Sequence, residues 1–282
     1  MAFSFKSLDV PLSFGLLNVV FQLFESDLCK PHAVCDLETM ILIFLCVWGF
    51  TDEVTEVLIL FLIYCINMSE DKMRDLLDYC NDKVSVLSAD QFMKNDVTDG
   101  MTIYATNDYK KIVFSKLDAI KYTMSQSREF NIKNVGYMDT DIVIFKNPTD
   151  VITETMPLYP DVDVVSQCDE GEKQCSDSMN CPKICSGVIV FRNKPSMENL
   201  FGYKDEDVDK YEGDQDYLLV EMRKQNMKFL TIDKDIFQNG IVFYNIKEKN
   251  ELITDKLCLV HFNWMPNFTK QDKMREYGVW YL

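Results

Sequence analysis

The sequence Gly136-Tyr137-Met138-Asp139-Thr140-Asp141-Ile142-Val143-Ile144-Phe145 places two acids one residue apart inside an otherwise apolar run. Apolar runs that are rich in β-branched residues are typical of buried strands. Side chains alternate along a strand, so we expect the carboxylates of Asp139 and Asp141 to point in the same direction. Two like charges that are buried together need a cationic partner. Because hard oxygen ligands suit Mg²⁺ or Mn²⁺, the stretch predicts a metal site at the end of a strand.

Two alternatives to a metal site exist for this triplet. Most Asp-x-Asp triplets are solvated loop acids, and the apolar residues on both sides distinguish this one from them. The second alternative is the phosphatase motif Asp-x-Asp-x-Thr, in which the first Asp is a nucleophile. Val143 stands where that motif has Thr, which disfavours a phosphatase.

Residues 136–148 resemble the Asp-x-Asp segment of nucleotide-sugar-dependent glycosyltransferases of the GT-A fold. The likeness is to the nucleotide-diphospho-sugar transferases of glycosyltransferase family 77, with family 8 as a cousin. It runs from about residue 37 to residue 282 and is strong from Asn107 onward. The resemblance implies a single GT-A (Rossmann-like) catalytic domain over residues 37–282. Residues 1–36 are interpreted as an N-terminal extension, since no small-residue cleavage site follows as in a signal peptide.

Composition narrows the classes of partner. The chain has 282 residues, of which 47% are hydrophobic and 26% charged, as in a globular protein with a sizeable core. Its formal net charge is −16, whereas a nucleic-acid-binding protein presents a basic face. An anionic donor would be repelled unless a metal and local Lys or Arg residues offset this field. The charge therefore favours a metal-dependent site.

Alternating strands and helices predict an α/β protein with a mostly parallel central sheet flanked by helices. Residues 40–48 form the predicted first strand, and Thr51-Asp52-Glu53 is a helix-start signal. Residues 57–66 are either a second strand or the end of the first helix, because a parallel crossover usually needs a dozen residues. Both apolar runs are too short to span a membrane. Later predicted elements are a helix at 109–125, strands at 162–166, 184–191, 229–232, 241–244 and 257–262, and helices at 197–201, 217–225 and 270–277.

His261 ends the apolar run 257–260. A lone His on a strand is more often a core or surface group than a ligand. However, His261-Phe262-Asn263-Trp264 resembles the late His-x-Asn-aromatic segment of the family, which implies that His261 is the third metal ligand and that Trp264 belongs to the donor site. Two carboxylates and one imidazole suit Mn²⁺. Asp141, nearer the end of the strand, is expected to reach the metal most directly, and Asp139 to divide its contacts between metal and ribose.

A second acidic triplet, Asp214-Gln215-Asp216, follows Gly213. As a pattern alone it is a helix N-terminus signal. By resemblance it is the Asp-Gln-Asp segment of the family, which implies a catalytic set. Asp214 would then bind donor-sugar hydroxyls and Gln215 would face the anomeric carbon. The two interpretations are compatible.

The resemblance also implies a basic contact to the donor diphosphate, at Lys270 or Lys273, with Lys270 favoured. Here the sequence departs from the family pattern, because Asn267 stands where Gly is usual six residues after the His. Asn tolerates the left-handed conformation better than most residues, so the turn is expected to survive. The other predicted donor-binding residues are Thr51, Asp52, Lys116, Asp139, Thr140, Ser186 and Gly187.

Ten cysteines do not settle the redox compartment. Cys168, Cys175, Cys181 and Cys185 cluster in one polar loop. Their spacing matches no common zinc pattern, so a disulfide or free thiols are favoured over zinc.

Together these features predict a metal-dependent glycosyltransferase that moves a hexose or pentose from a UDP- or GDP-sugar to a glycan or glycoprotein acceptor. The resemblance implies retention of anomeric configuration, with Mn²⁺ or Mg²⁺ as cofactor. The alternative is a catalytically weak protein of the same fold that binds a nucleotide sugar or glycan. A cytoplasmic location is favoured, with a lumenal one as the alternative, since sequons at Asn67 and Asn267 arise easily by chance.

Overall fold

A computed structural model defines the fold of the protein. It describes residues 41–51, 54–66, 84–88, 106–128, 132–139, 141–171, 179, 181–248, 255–264 and 267–278. The predicted N-terminal extension, Asp52 and Thr140 lie outside the described residues.

A seven-stranded sheet forms the centre of the described structure. Its strands are β1 (Ile41–Thr51), β2 (Val54–Ile66), β3 (Val84–Ser88), β4 (Asn134–Met138), β6 (Val164–Cys168), β7 (Ile184–Arg192) and β8 (Phe229–Ile232). Their spatial order is β3-β2-β1-β4-β7-β6-β8. A second sheet of three strands has β10 (Leu259–His261) between β5 (Ile142–Ile144) and β9 (Phe237–Asn239).

Helices pack around these sheets. They are α1 (Asn107–Arg128), α2 (Pro148–Leu158), α3 (Asp205–Lys210), α4 (Asp214–Lys224), α5 (Gly240–Glu248) and α6 (Asn267–Glu276), with a 3₁₀ helix at Pro195–Phe201. The α/β class is therefore confirmed, and α1 extends the predicted helix 109–125 at both ends. Among the described helices, none combines the length and apolar character that a membrane crossing requires.

The direction of the strands differs from the prediction of a mostly parallel sheet. Of the six pairings between described strands of the large sheet, β2 with β3 and β6 with β8 are parallel, and the other four are antiparallel. For β1 and β2 the reason lies in the connection, because only residues 52 and 53 separate the two strands. Two residues can join antiparallel neighbours but not parallel ones. Residues 57–66 are thus a strand, and the helix-start signal at Thr51 was misleading.

The main core lies between α1, the large sheet and α4. Its aromatic side chains include tilted ring pairs, with ring centroids 5.1 Å apart for Phe114 and Tyr203 and 5.5 Å apart for Phe114 and Tyr217. A separate cluster packs α5 and α6 against the small sheet, through Phe243, Phe262 and Met274 among others. The helix that carries Lys270 is therefore anchored to the strand that carries His261.

Residues 136–145 are not one continuous strand. The run divides into β4 in the large sheet and β5 in the small sheet, and Asp139 and Asp141 lie in the connection between them. Backbone hydrogen bonds fix the connection on both sides, because Asp139 N donates to Gly187 O at 2.8 Å and Phe262 N donates to Asp141 O at 2.9 Å. The acids converge because the chain crosses from one sheet to the other, and strand alternation is not the cause.

The apolar segment 241–244, predicted as a strand, is part of α5. Val242 N donates to the side chain of Asn239 at 3.0 Å, which satisfies a backbone donor at the start of the helix. Gly240 is required there, because a Cβ atom would lie 2.4 Å from the carbonyl oxygen of Asn263. The hydrogen bond at the start of the helix thus outweighs the β propensity of residues 241–244. The short strand β9 ends just before this helix.

Candidate active site

Asp139, Asp141 and His261 meet where the two sheets adjoin. One ligand atom from each residue lies within 4.8 Å of the others. Nε2 of His261 is 3.1 Å from Oδ1 of Asp141 and 3.5 Å from Oδ2 of Asp139. Pairing of β10 with β5 sets this geometry, because it aligns His261 with Ile142, the residue after Asp141. Two carboxylates and one imidazole are a donor set that fits Mn²⁺ or a similar divalent ion.

A glycine makes room for Asp139, Asp141 and His261, which are called the metal-ligand cluster because they could hold an ion. A Cβ atom on Gly187 would lie 2.3 Å from Oδ2 of Asp139 and 2.3 Å from Cε1 of His261. Gly187 lies in a part of β7 that has no partner in β6. Ser166 of β6 pairs with Ile189, and the next residue, Gln167, pairs with Cys185. Bulges of this kind redirect the backbone next to functional sites. The cluster therefore depends on a bare backbone at Gly187.

Neighbouring groups of opposite charge control the pKa values of His261 and Asp141. Burial lowers the pKa of His261, but Asp141 and Cys185 outweigh burial and raise it well above 6.5. Burial raises the pKa of Asp141, yet His261 and Lys270 together hold it well below its usual range. Without a metal, His261 and Asp141 therefore form an imidazolium–carboxylate pair. A divalent ion would take the place of the proton on Nε2.

Lys270 is the predicted diphosphate contact that reaches this cluster. Its Nζ atom lies 2.5 Å from Oδ2 of Asp141. Lys273, one turn further along α6, lies 2.9 Å from Glu276 and 3.8 Å from Glu248. The two candidate lysines therefore differ: Lys270 brings positive charge to Asp141, whereas Lys273 pairs with exposed glutamates of α5 and α6.

Lys116 joins the metal cluster to the second acidic triplet. Its buried Nζ atom is 2.9 Å from Oδ2 of Asp214 and 3.9 Å from Oδ1 of Asp139, and it donates to Oγ of Ser186 at 2.9 Å. Tyr137 donates to Oδ1 of Asp139 at 2.6 Å. Burial lowers the pKa of Lys116, but Asp139 and Asp214 outweigh it, so the amine stays charged. Burial raises the pKa of Asp214, and Lys116 opposes that shift.

Gln215 is held at both ends of its amide. Oε1 accepts from Ser186 N at 3.2 Å, and Nε2 donates to Oδ2 of Asp169 at 3.0 Å. Asp169 also accepts from Nδ2 of Asn263 at 2.8 Å and from Nε1 of Trp264 at 2.7 Å. The half-exposed indole of Trp264 is therefore fixed at the edge of the site. Asp169 ties α4 to the segment that follows His261.

Sequence reasoning missed Asp169 and also Gln167, whose Oε1 lies 3.1 Å from Nδ1 of His261. The sequence signal that could have identified them is the position of two polar residues, Gln167 and Asp169, at the end of an apolar strand. In α/β sheets, ligands bind beyond the carboxyl ends of strands, so both residues were candidates on position alone.

Two predicted residues stand apart from the cluster. Because β1 is antiparallel to β4, Phe44 pairs with Met138, and Thr51 lies seven residues away, roughly 23 Å along the strand. Thr51 is predicted to contact the base or ribose of the donor, and that contact stays a prediction. Asp216 is exposed on α4, and among the described residues it makes none of the bonds that link the site. Its catalytic role stays a prediction.

The cysteine cluster contains both redox states. Cys168 and Cys185 are thiols, whereas Cys181 is disulfide-bonded. Cys168, Glu170 and Cys181 lie close enough for a metal ion, but a disulfide-bonded sulfur is not a thiolate ligand. The arrangement agrees with the preference for a disulfide over zinc.

Comparison with known families then places the chain. A family model described as nucleotide-diphospho-sugar transferase matches residues 74–276, well over half of the sequence. The chain belongs to this family. In this nucleotide-diphospho-sugar transferase, every described residue of the metal-ligand cluster, together with Lys116, Asp214 and Lys270, falls inside the matched region.

Two solved structures are similar to this transferase. Mouse xyloside xylosyltransferase 1 in its apo form is 14% identical, with a TM-score of 0.42, over 72% of this chain and 85% of that chain. The glycosyltransferase GlyE of Streptococcus pneumoniae TIGR4 is 12% identical, with a TM-score of 0.43, over 72% of this chain and 47% of that chain. No curated protein sequence matches the transferase.

Proposed function

We propose that this nucleotide-diphospho-sugar transferase is a metal-dependent glycosyltransferase with a UDP- or GDP-sugar donor and a glycan or glycoprotein acceptor. The observation that carries the proposal is the convergence of Asp139, Asp141 and His261, with Gly187 leaving space for them. The family match supplies the donor class. Mn²⁺ or Mg²⁺ is the proposed cofactor, and a hexose or pentose is the proposed transferred group.

Positive charge at the leaving group is the main requirement of the reaction. When the bond between the anomeric carbon and the diphosphate oxygen breaks, its electron pair stays on the diphosphate. A divalent ion held by Asp139, Asp141 and His261 would stabilise this charge as a Lewis acid. Lys270, 2.5 Å from Asp141, is placed to add a second positive charge. This local charge offsets the net charge of −16, which would otherwise repel an anionic donor.

Asp214 and Lys116 are proposed to bind and orient the donor sugar. Their ion pair is buried and is fixed to Ser186 on β7, so the carboxylate is pre-oriented before a donor arrives. Pre-orientation reduces the entropy that binding must overcome.

We propose that transfer occurs with retention and on the front face of the donor. Gln215, the side chain proposed to face the anomeric carbon, already has its oxygen bonded to Ser186 N and its nitrogen to Asp169. An amide engaged at both ends is a poor nucleophile, which favours direct attack by the acceptor oxygen. The acceptor proton then passes to the departing diphosphate, so the donor and acceptor atoms balance.

A binding protein without turnover is the second candidate. It is supported by the short antiparallel connection between β1 and β2, which replaces the parallel crossover expected in the region that would build the base pocket. Binding of a nucleotide sugar would then persist without transfer.

Donor hydrolysis separates these candidates. A panel of UDP- and GDP-sugars is incubated with the protein and Mn²⁺, with and without EDTA, while calorimetry measures binding of the same donors. Release of nucleotide diphosphate that EDTA abolishes supports the enzyme. Turnover that chelation leaves unchanged removes the metal from the proposal, and tight binding without hydrolysis or transfer favours the binding protein.

A further inference from the structure

Gln167 is a fully buried polar side chain directly behind the metal-ligand cluster. Its Oε1 atom lies 3.1 Å from Nδ1 of His261, on the ring edge opposite the two aspartates. No step of the proposed reaction uses it. A buried amide needs hydrogen bonds to offset its desolvation, so its contacts report what the site requires.

The orientation of this amide is determined by its other end. Nε2 of Gln167 donates to the carbonyl oxygen of Gln238 at 2.6 Å and faces that of Phe237 at 3.4 Å. A rotation of the amide by half a turn would place Oε1 against both carbonyl oxygens, where no hydrogen bond is possible. The oxygen therefore faces His261.

The oxygen of an amide accepts hydrogen bonds and does not donate them. Nδ1 of His261 must then carry a hydrogen and donate it to Gln167. Sγ of Cys185, 3.2 Å from the same nitrogen, is a weaker partner because sulfur is a poor acceptor. With Nδ1 occupied in this way, Nε2 is the nitrogen whose lone pair can face Asp139 and Asp141.

We propose that Gln167 is a positioning residue for metal binding, which rests on the metal dependence proposed above. Its acceptor oxygen keeps the hydrogen of His261 on Nδ1 and holds the ring so that Nε2 is presented to the ion. A register shift between Ser166 and Gln167 supports this role, since the bulge changes the direction of the strand at this residue.

Three variants of the full chain separate positioning from packing. Gln167→Met removes the acceptor at similar volume. Gln167→Glu retains one, because a neutral carboxylic acid can donate to the Gln238 carbonyl and still accept from Nδ1. Gln238→Met is the matched control: Gln238 is equally buried, and neither polar atom of its side chain has a hydrogen-bond partner among the described residues.

Mn²⁺ affinity is measured by electron paramagnetic resonance of the free ion. We expect Gln167→Met to weaken binding by roughly 10- to 100-fold, as for other changes behind a metal ligand. Gln167→Glu should restore most of the affinity and Gln238→Met should leave it unchanged. Wild-type affinity in Gln167→Met, or an equal loss in Gln238→Met, would overturn the role of Gln167.

Nitrogen NMR gives a readout that does not depend on folding of a variant. The chain has two histidines, His32 and His261, so ¹⁵N-labelled histidine yields two assignable rings. In the wild-type protein saturated with Mg²⁺, Nδ1 of His261 should carry the hydrogen. An unprotonated Nδ1 overturns the proposal. If the wild-type protein binds no Mn²⁺, the metal site itself is wrong, whatever the protonation of Nδ1. If metal binding survives in Gln167→Met, only the role of Gln167 is wrong.

Discussion

Gly187 and Asp139 lie so close together that a Cβ atom on the glycine would sit 2.3 Å from Oδ2 of the aspartate. Neither neighbour can easily withdraw. Asp139 is bound through its backbone N to Gly187 O at 2.8 Å, and the ring of His261 is buried on the other side. The space that the cluster needs is therefore created by the absence of a side chain at this one position.

Gly187→Ala is expected to displace Asp139 or His261 and abolish metal-dependent activity, with a loss of stability of about 1–3 kcal/mol from overpacking. Gly202→Ala is the matched control, because its added Cβ would meet only the oxygen of Asn199, at 3.4 Å. The checks are urea unfolding and Mn²⁺ binding. A Gly187→Ala protein that binds Mn²⁺ as tightly as wild type would show that the cluster is not constrained as described.

Lys116 and Asp214 are expected to be energetically coupled. Lys116→Met leaves Asp214 without its buried cation, which costs roughly 3–5 kcal/mol when a buried pair is broken on one side. The double variant Lys116→Met/Asp214→Leu should be more stable than the sum of the two single changes predicts. Urea unfolding of all four proteins measures the coupling. Additive effects, within about 0.5 kcal/mol, would mean that the pair does not act as a unit.

Stability of the metal-free protein is expected to depend on pH through His261. A pKa that is raised on folding gives stability that is complete below the unfolded value, about 6.5, and is lost as the pH rises through the folded value. Asp141 has a lowered pKa, so its contribution is lost only at acidic pH and stays constant here.

Thermal unfolding in EDTA between about pH 6 and pH 9 should therefore show a decline that His261→Gln removes. Mn²⁺ affinity should rise over the same range, because Nε2 must lose its proton to bind an ion. A melting temperature that rises with pH in the wild type would be inconsistent with the imidazolium–carboxylate pair.

Lys270 and Lys273 provide a matched pair of charge deletions on α6. Lys270→Ala should lower turnover on the order of 100-fold, as when one group that stabilises developing charge is removed. Lys273→Ala should change turnover little, since its partners are the exposed Glu276 on α6 and the exposed Glu248 at the end of α5. Donor hydrolysis at saturating Mn²⁺ measures both. Equal losses in the two variants would remove the special role of Lys270.

Asp139, Asp141 and His261 come together as the sequence predicts, but the local structure around the two aspartates differs from the predicted strand. Two acids in an apolar run indicate a shared cationic partner whatever the backbone does, so the pairing of Asp139 with Asp141 survives the division of the run into β4 and β5. His261 was added to the pair by the family resemblance. The antiparallel pairing of β1 with β2 was not predicted, because the helix-start signal at Thr51 lies where a two-residue connection joins the two strands. Local patterns do not report which strands become neighbours.

Gln167 and Asp169 illustrate the other limit. Their partners lie far away in the sequence: Gln215 is 46 residues from Asp169, Trp264 is 95, and His261 is 94 residues from Gln167. A buried polar residue at a strand end has no local signature of what it will contact. Only the arrangement of the sheets brings these residues behind the metal ligands.

The proposal that Asp141 is a metal ligand is tested by the variant Asp141→Asn. The change removes one charge and keeps the size of the side chain. Thermal unfolding of wild type and variant is compared with and without Mn²⁺ and donor, alongside turnover. We expect the variant to fold, to lose the metal-dependent rise in melting temperature, and to lose roughly 10- to 100-fold or more in activity. A variant that keeps the full metal-dependent rise and full turnover would show that the metal is bound elsewhere and that Asp141 is not a ligand.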